Sequence, residues 1–285
     1  MTLQKPEQLN TISRIDEPAA RPEGKRGIPL RTATAIFSLL AFLTAAALFL
    51  FFLTGMLVPI QAETLTRNQL SSFYRGSFFI GDSITEQLKG YIRSQQQEQP
   101  DFFPDITFMT AQSYCLYTAS RKNLLPEKAN LKSRGKEMPL WEILKDRKPT
   151  KALILLGVND YIGETIEKGM DYDNRILDLA QKHAPDTEII FLSLTPVTKS
   201  FCKKQDYRRM WDDYNAALKG LCLLRGVPYI DIATRMKDEE GYLNKNYSND
   251  GKYHLNAEGL DLWIDALLEY AQSQYDQGLW QPEGR

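Results

Sequence analysis

The run Phe78-Phe79-Ile80-Gly81-Asp82-Ser83-Ile84-Thr85 constrains the fold of this chain more than any other stretch. Three large apolar residues in succession read as a buried strand of a parallel sheet. Gly81 permits a tight turn, and Ile84, Leu88 and Ile92 then recur on one helical face. A strand that turns sharply into a helix puts Asp82 and Ser83 at the carboxyl edge of the sheet, where open α/β sheets bind ligands. Backbone N–H groups at that helix start can stabilise an oxyanion. A serine there is placed for nucleophilic attack once a base reaches it.

Four more segments read as strands: Ile106 to Thr110, Ala152 to Leu156, Glu188 to Ser193 and Pro228 to Ile232. Helical stripes lie between and after them. Ile176 to Ala180 leads to His183 and Pro185. Met210, Tyr214, Leu218 and Cys222 form a stripe stopped by Gly226. After Asn256, an expected N-cap, Leu260, Trp263, Ile264, Leu267 and Ala271 form the last. Strands alternating with helices predict a parallel sheet covered on both faces. The folded domain is expected over 77–275, with 276–285 as a tail.

The chain ahead of it has a different character. Residues 1–31 are polar, hold four prolines and show no apolar period, so a disordered tail is expected. From Thr32 to Ala62 there is no charge, and Ala33 to Val58 is almost wholly apolar. A bilayer core takes roughly 20 such residues, so 32–60 is read as one transmembrane helix, with 61–76 as a juxtamembrane linker. Secretory apolar cores are shorter, about 7–15 residues, which favours an anchor over a cleaved signal. Lys25, Arg26 and Arg31 precede the span, which predicts a cytoplasmic N-terminus and an extracytoplasmic domain in the cell membrane.

A net charge of −1 gives no general affinity for nucleic acid. The three cysteines, Cys115, Cys202 and Cys222, lack metal-ligand spacing; a Cys202–Cys222 bridge is an open alternative to free thiols. No His-Glu-x-x-His or glycine-rich phosphate loop occurs, so neither metal nor cofactor is expected. Two histidines, His183 and His254, leave few choices for a base.

Asn159 lies in the stretch Leu155-Leu156-Gly157-Val158-Asn159-Asp160, on the same sheet edge as Ser83. A side-chain amide there can donate to an oxyanion. His254 follows Asp250 and Gly251 just before the last helix. The order Ser, Asp, His can converge on one edge as nucleophile, orienting carboxylate and base. These three blocks together resemble those of the SGNH (GDSL-type) hydrolases. The resemblance covers about 77–275. It implies a three-layer α/β/α, flavodoxin-like domain with a five-stranded parallel sheet. It also implies that Ser83 is the nucleophile, His254 the base and Asp250 its partner, with oxyanion donors from Ser83 N–H and Asn159.

Two departures stand out. The family carries its aspartate three residues before the histidine, whereas Asp250 is four before His254. The family's second-block glycine, a main-chain oxyanion donor, is missing from Thr110-Ala111-Gln112-Ser113-Tyr114. Ala111 or Ser113 is expected to supply that N–H. Asp82, Tyr114 and Lys199 are expected to line the substrate site. Basic residues in 112–139 and 194–209, both of which leave strand ends, are expected to attract an anionic envelope polymer. The expected activity is a serine esterase that deacylates O-acetylated saccharides. The alternatives are an O-acyltransferase using the same site or a non-catalytic polymer-binding module.

Overall fold

The computed structural model describes Phe42, Thr44 and Ala46, then residues 65–160 and 165–283. The expected tail (1–31) and the start of the linker lie outside the described residues. So does the expected span (32–60), apart from those three helical positions. No helix among the described residues is long and apolar enough to cross a membrane. The chain divides into two units, Met1–Gln61 and Ala62–Arg285, and every element named below belongs to the second.

Its elements in order are α1 (Arg67–Ser71), β1 (Phe78–Gly81), α2 (Ser83–Glu98), β2 (Thr107–Thr110) and α3 (Leu116–Ala119). A hairpin of β3 (Leu131–Ser133) and β4 (Lys136–Met138) comes next, then α4 (Leu140–Arg147) and β5 (Lys151–Leu155). The chain ends with α5 (Ile166–His183), β6 (Glu188–Leu192), α6 (Tyr207–Arg225), β7 (Tyr229–Ile230) and α7 (Ala257–Asp276). Strands β2-β1-β5-β6-β7 form a five-stranded sheet with every pairing parallel. Helices α1 and α2 contact α7, and α3, α4 and α6 contact α5. These two sets cover the two faces, which gives the expected three-layer α/β/α architecture.

The sheet runs outward from β1 to β2, then resumes on the other side of β1 at β5. Such a switch point opens a crevice at the carboxyl ends of the two flanking strands. Here those are β1, which leads to Ser83, and β5, which leads to Asn159. Both strands are buried on both faces, as their uninterrupted apolar runs require. Ile84, Leu88 and Ile92 are fully buried. Each contributes about 1.5–3 kcal/mol through removal from water.

The expected linker requires a correction. Leu65, Leu70, Phe73 and Tyr74 belong to the core, and the Tyr74 hydroxyl donates to the Leu267 carbonyl at 2.7 Å. Residues 65–76 are therefore part of the domain. Trp280, expected in a free tail, packs edge-on against Phe73 at 5.3 Å. The final strand is two residues long, and the β3–β4 hairpin has no counterpart among the expected elements. All three cysteines are free thiols.

Candidate active site

Gly81 makes the turn between β1 and α2 feasible. A Cβ there would lie 1.9 Å from Thr85 Oγ1 and 2.9 Å from the Leu155 carbonyl. Asp82 then caps α2, its Oδ1 accepting from the Ile84 N–H at 2.9 Å. This leaves Ser83 as the first helical residue.

His254 comes from the loop ahead of α7, and its Nε2 lies 3.0 Å from Ser83 Oγ. Its Nδ1 lies 2.7 Å from Asp250 Oδ2. Burial alone would raise the Asp250 carboxyl, but bonds from the His254 ring and the Lys252 N–H outweigh it and hold the group below its ordinary range. An ionised carboxylate only accepts, so Nδ1 carries the proton and Nε2 is left to accept from the Ser83 hydroxyl. This arrangement can deprotonate the serine as it attacks and stabilise the imidazolium that forms.

The four-residue spacing is absorbed by a side-chain turn. Asp250 Oδ1 accepts from the N–H groups of Lys252, Tyr253 and His254 at 2.8, 3.2 and 3.3 Å. Gly251 takes a φ of 68°, which lets the loop close over that carboxylate. The segment after β6 clamps it from outside. Ser200 Oγ donates to the Gly251 carbonyl at 2.7 Å, and Thr198 N–H donates to the Lys252 carbonyl at 2.8 Å. From α2, Gln87 Oε1 accepts from the Leu255 N–H at 3.2 Å. Thr198, Ser200 and Gln87 carry no sequence signal beyond their polarity, and sequence reasoning missed them.

Asn159 reaches the same edge from β5. Its Nδ2 donates to Asp82 Oδ2 at 2.7 Å and to the Tyr114 carbonyl at 3.1 Å. Asp82 is fully buried. Burial raises its pKa to about 6, against the opposing pull of the Ile84 N–H and the His254 charge. Asp82 therefore sits beneath the site and holds Asn159; its expected contact with substrate is corrected. Tyr114 is likewise buried and takes part through its carbonyl, not its ring. Asp160, also missed, accepts from the Leu116 and Tyr117 N–H groups at 2.8 and 3.0 Å and so ties α3 to the β5 edge.

Of the two expected main-chain donors, Ala111 gives its N–H to the Gly81 carbonyl at 3.3 Å. Ser113 sits in the turn closed by Tyr114 N–H to Ala111 carbonyl, with a φ of 61°. That left-handed geometry is the one glycine favours.

Part of the expected basic rim is paired with acidic side chains. Lys199 is bonded to Glu240 at 2.6 Å, and Arg209 pairs with Asp213 at 3.6 Å. The segment beyond α3 is held elsewhere. The Lys122 carbonyl accepts from Trp141 Nε1 at 3.0 Å, and the Trp141 ring packs at a tilt against His183 at 4.4 Å, near the opposite edge of the sheet. What does adjoin Ser83 is a hollow of about 500 Å³ lined by Glu86, Gln87, Lys89, Thr110, Ala111 and Gln112. Glu86 is bonded there to Lys89 and to Thr110.

No curated protein sequence matches the chain. Solved structures similar to it include a protein described as an acylhydrolase from Bacteroides fragilis, at 15% identity and a TM-score of 0.53, covering 75% of this chain and 98% of that one. A GDSL-like lipase from Bacteroides thetaiotaomicron is 16% identical with a TM-score of 0.52, covering 75% and 95%. The acetyl xylan esterase AlAXEase is 16% identical with a TM-score of 0.51, covering 68% and 98%. At these identities the likeness is one of fold. The sequence profile of the GDSL-like lipase/acylhydrolase family matches residues 79–262. The chain belongs to that family, whose members are hydrolases acting on ester bonds.

Proposed function

We propose that this protein is a serine esterase that removes short acyl groups, acetyl foremost, from hydroxyl-rich saccharides outside the cytoplasm. The observation that carries the chemistry is the relay from Ser83 Oγ through His254 to Asp250, at 3.0 and 2.7 Å. Ser83 attacks the ester carbonyl while His254 takes its proton. The Ser83 and Ser113 N–H groups and the Asn159 amide receive the oxyanion. His254 then protonates the leaving alcohol, and water repeats the sequence in reverse to free the acid.

The saccharide reading rests on the hollow beside Ser83. Apart from Ala111, every residue lining it is polar or charged, and the Glu86–Lys89 pair is among them. A long acyl chain laid there would strip water from those groups without replacing their hydrogen bonds. A polyol satisfies them. The apolar stretch from Ala33 to Val58 supports a membrane tether that keeps the site near the cell surface.

The test is hydrolysis of a p-nitrophenyl ester series and of acetylated oligosaccharides, with labelling by a serine-reactive phosphonate. Turnover that falls steeply beyond short acyl groups, and is lost with labelling in Ser83→Ala, is the expected result. A wild type that neither labels nor turns over any ester refutes the reading. Carbonate-resistant retention of the full chain in membranes, lost on deleting residues 1–62, tests the tether.

A further inference from the structure

The edge of the sheet opposite Ser83 carries a feature that ester hydrolysis does not use. Trp141, on α4, packs at a tilt against His183 at the end of α5, and its indole N–H holds the Lys122 carbonyl. Three hollows surround this pair. One of about 630 Å³ lies along α5 and includes Arg121, Lys122, Arg175 and Lys182. One of about 570 Å³ shares Lys122 and has Trp141 in its wall. One of about 430 Å³ is lined by His183, Lys145 and Lys148. The first two share Lys122 and Asn123, and the Trp141–His183 contact joins the second to the third, so the three form one track.

The track is positively charged. Lys122, Lys145, Lys148 and Lys182 are exposed. None of the four has an ion-pair partner among the described residues. Their charges crowd together: after burial, Lys182, Lys145 and Lys122 are what hold the His183 ring below its ordinary pKa. The walls also hold acidic residues: Asp178, Glu137, Glu142 and Asp186, of which the first two are engaged. Asp178 pairs with Arg225 at 2.8 Å, and Glu137 accepts from Asn130 at 3.1 Å.

We infer that this track is a binding site for an anionic polymer chain, one bearing phosphates or carboxylates at regular intervals. Basic residues outnumber acidic ones along the track, and a net positive field attracts such chains. A half-buried Trp between them offers a ring face to a sugar or polyol unit. Linked hollows fit a chain better than a flat bilayer. A site on the far edge leaves Ser83 open while the polymer is held, so binding and hydrolysis are independent.

The test titrates the full chain, in neutral detergent, with polygalacturonate and with poly(glycerol phosphate) at low and high salt. The wild type binds at least one polymer, with affinity that falls at least tenfold at high salt. The Lys145→Glu/Lys182→Glu variant loses at least tenfold in affinity while p-nitrophenyl acetate turnover and melting temperature stay unchanged. No binding by the wild type overturns the inference, as does unchanged affinity in that variant. Loss with Lys89→Glu instead would move the polymer to the Ser83 edge and overturn it equally. Binding confined to detergent doped with phosphatidylglycerol would assign the track to lipid headgroups and overturn it too.

Discussion

Asp82 Oδ2 stands 2.7 Å from the Asn159 amide nitrogen, in a position closed to solvent. The second amide hydrogen goes to the Tyr114 carbonyl. Asn159 therefore reaches an oxyanion only by sharing or surrendering one of two existing bonds. Asp82 sets the orientation from which it does so.

Asn159→Ala should lower kcat by about 100- to 1,000-fold, the loss seen when one oxyanion donor is removed. Asp82→Asn replaces one acceptor by a donor and should cost about tenfold or more in kcat with KM little changed. The double variant should be no worse than Asn159→Ala alone, because both changes act through one amide. Additive losses in a steady-state double-mutant cycle would separate the two residues.

Asp82 also predicts a pH dependence of stability. Its pKa is raised from the ordinary 3.8 to about 6, so the native state binds more protons than the unfolded state between those values. Its contribution is fully present below about pH 4 and is lost as pH rises through about 6, by about 3 kcal/mol in total. Denaturant titrations of wild type and Asp82→Asn from pH 4 to 7 should diverge in the variant's favour.

Asp250 has the opposite sign. Its carboxyl is held below 3.8, so its contribution is present above that value and is lost as pH falls through the depressed one. Asp250→Ala should leave a Ser83–His254 pair with kcat reduced by about 100- to 10,000-fold. It also frees the N–H groups of Lys252, Tyr253 and His254, which faster hydrogen exchange in that loop would report.

Ser113→Gly should retain activity, because the proposed donor is main chain and the φ of 61° suits glycine. A melting temperature equal to or above wild type is expected, since a strained position is relaxed. Proline, whose ring holds φ at about −65° and which has no N–H, should lower turnover and melting temperature together.

Gly81→Ala should unfold the domain or destabilise it by about 3 kcal/mol or more, because the added methyl meets Thr85 and the Leu155 carbonyl. Thermal melting gives the answer directly. Adding Thr85→Ala should recover only part of the loss, since the Leu155 carbonyl cannot move out of the sheet.

Local chemistry along the chain was enough to specify the sheet and the reactive edge. Phe78 to Ile80 and Ala152 to Leu155 are apolar without alternation, which only a strand covered on both faces tolerates. Gly81, Gly157 and the cap at Asn256 punctuate them, so Ser83, Asn159 and His254 were legible in the chain alone. Tertiary structure decided what has no period. It placed Asp82 under the site instead of in it, because the Asn159 amide arrives from a strand 77 residues away. It drew residues 65–76 into the core through Tyr74 and Leu267, a pairing set 193 residues apart. It also carried Lys122 and its neighbours to the far edge, because Trp141 and His183 hold that segment there. Periodicity reports which side of an element is buried; it carries no record of which distant side chain will be waiting there.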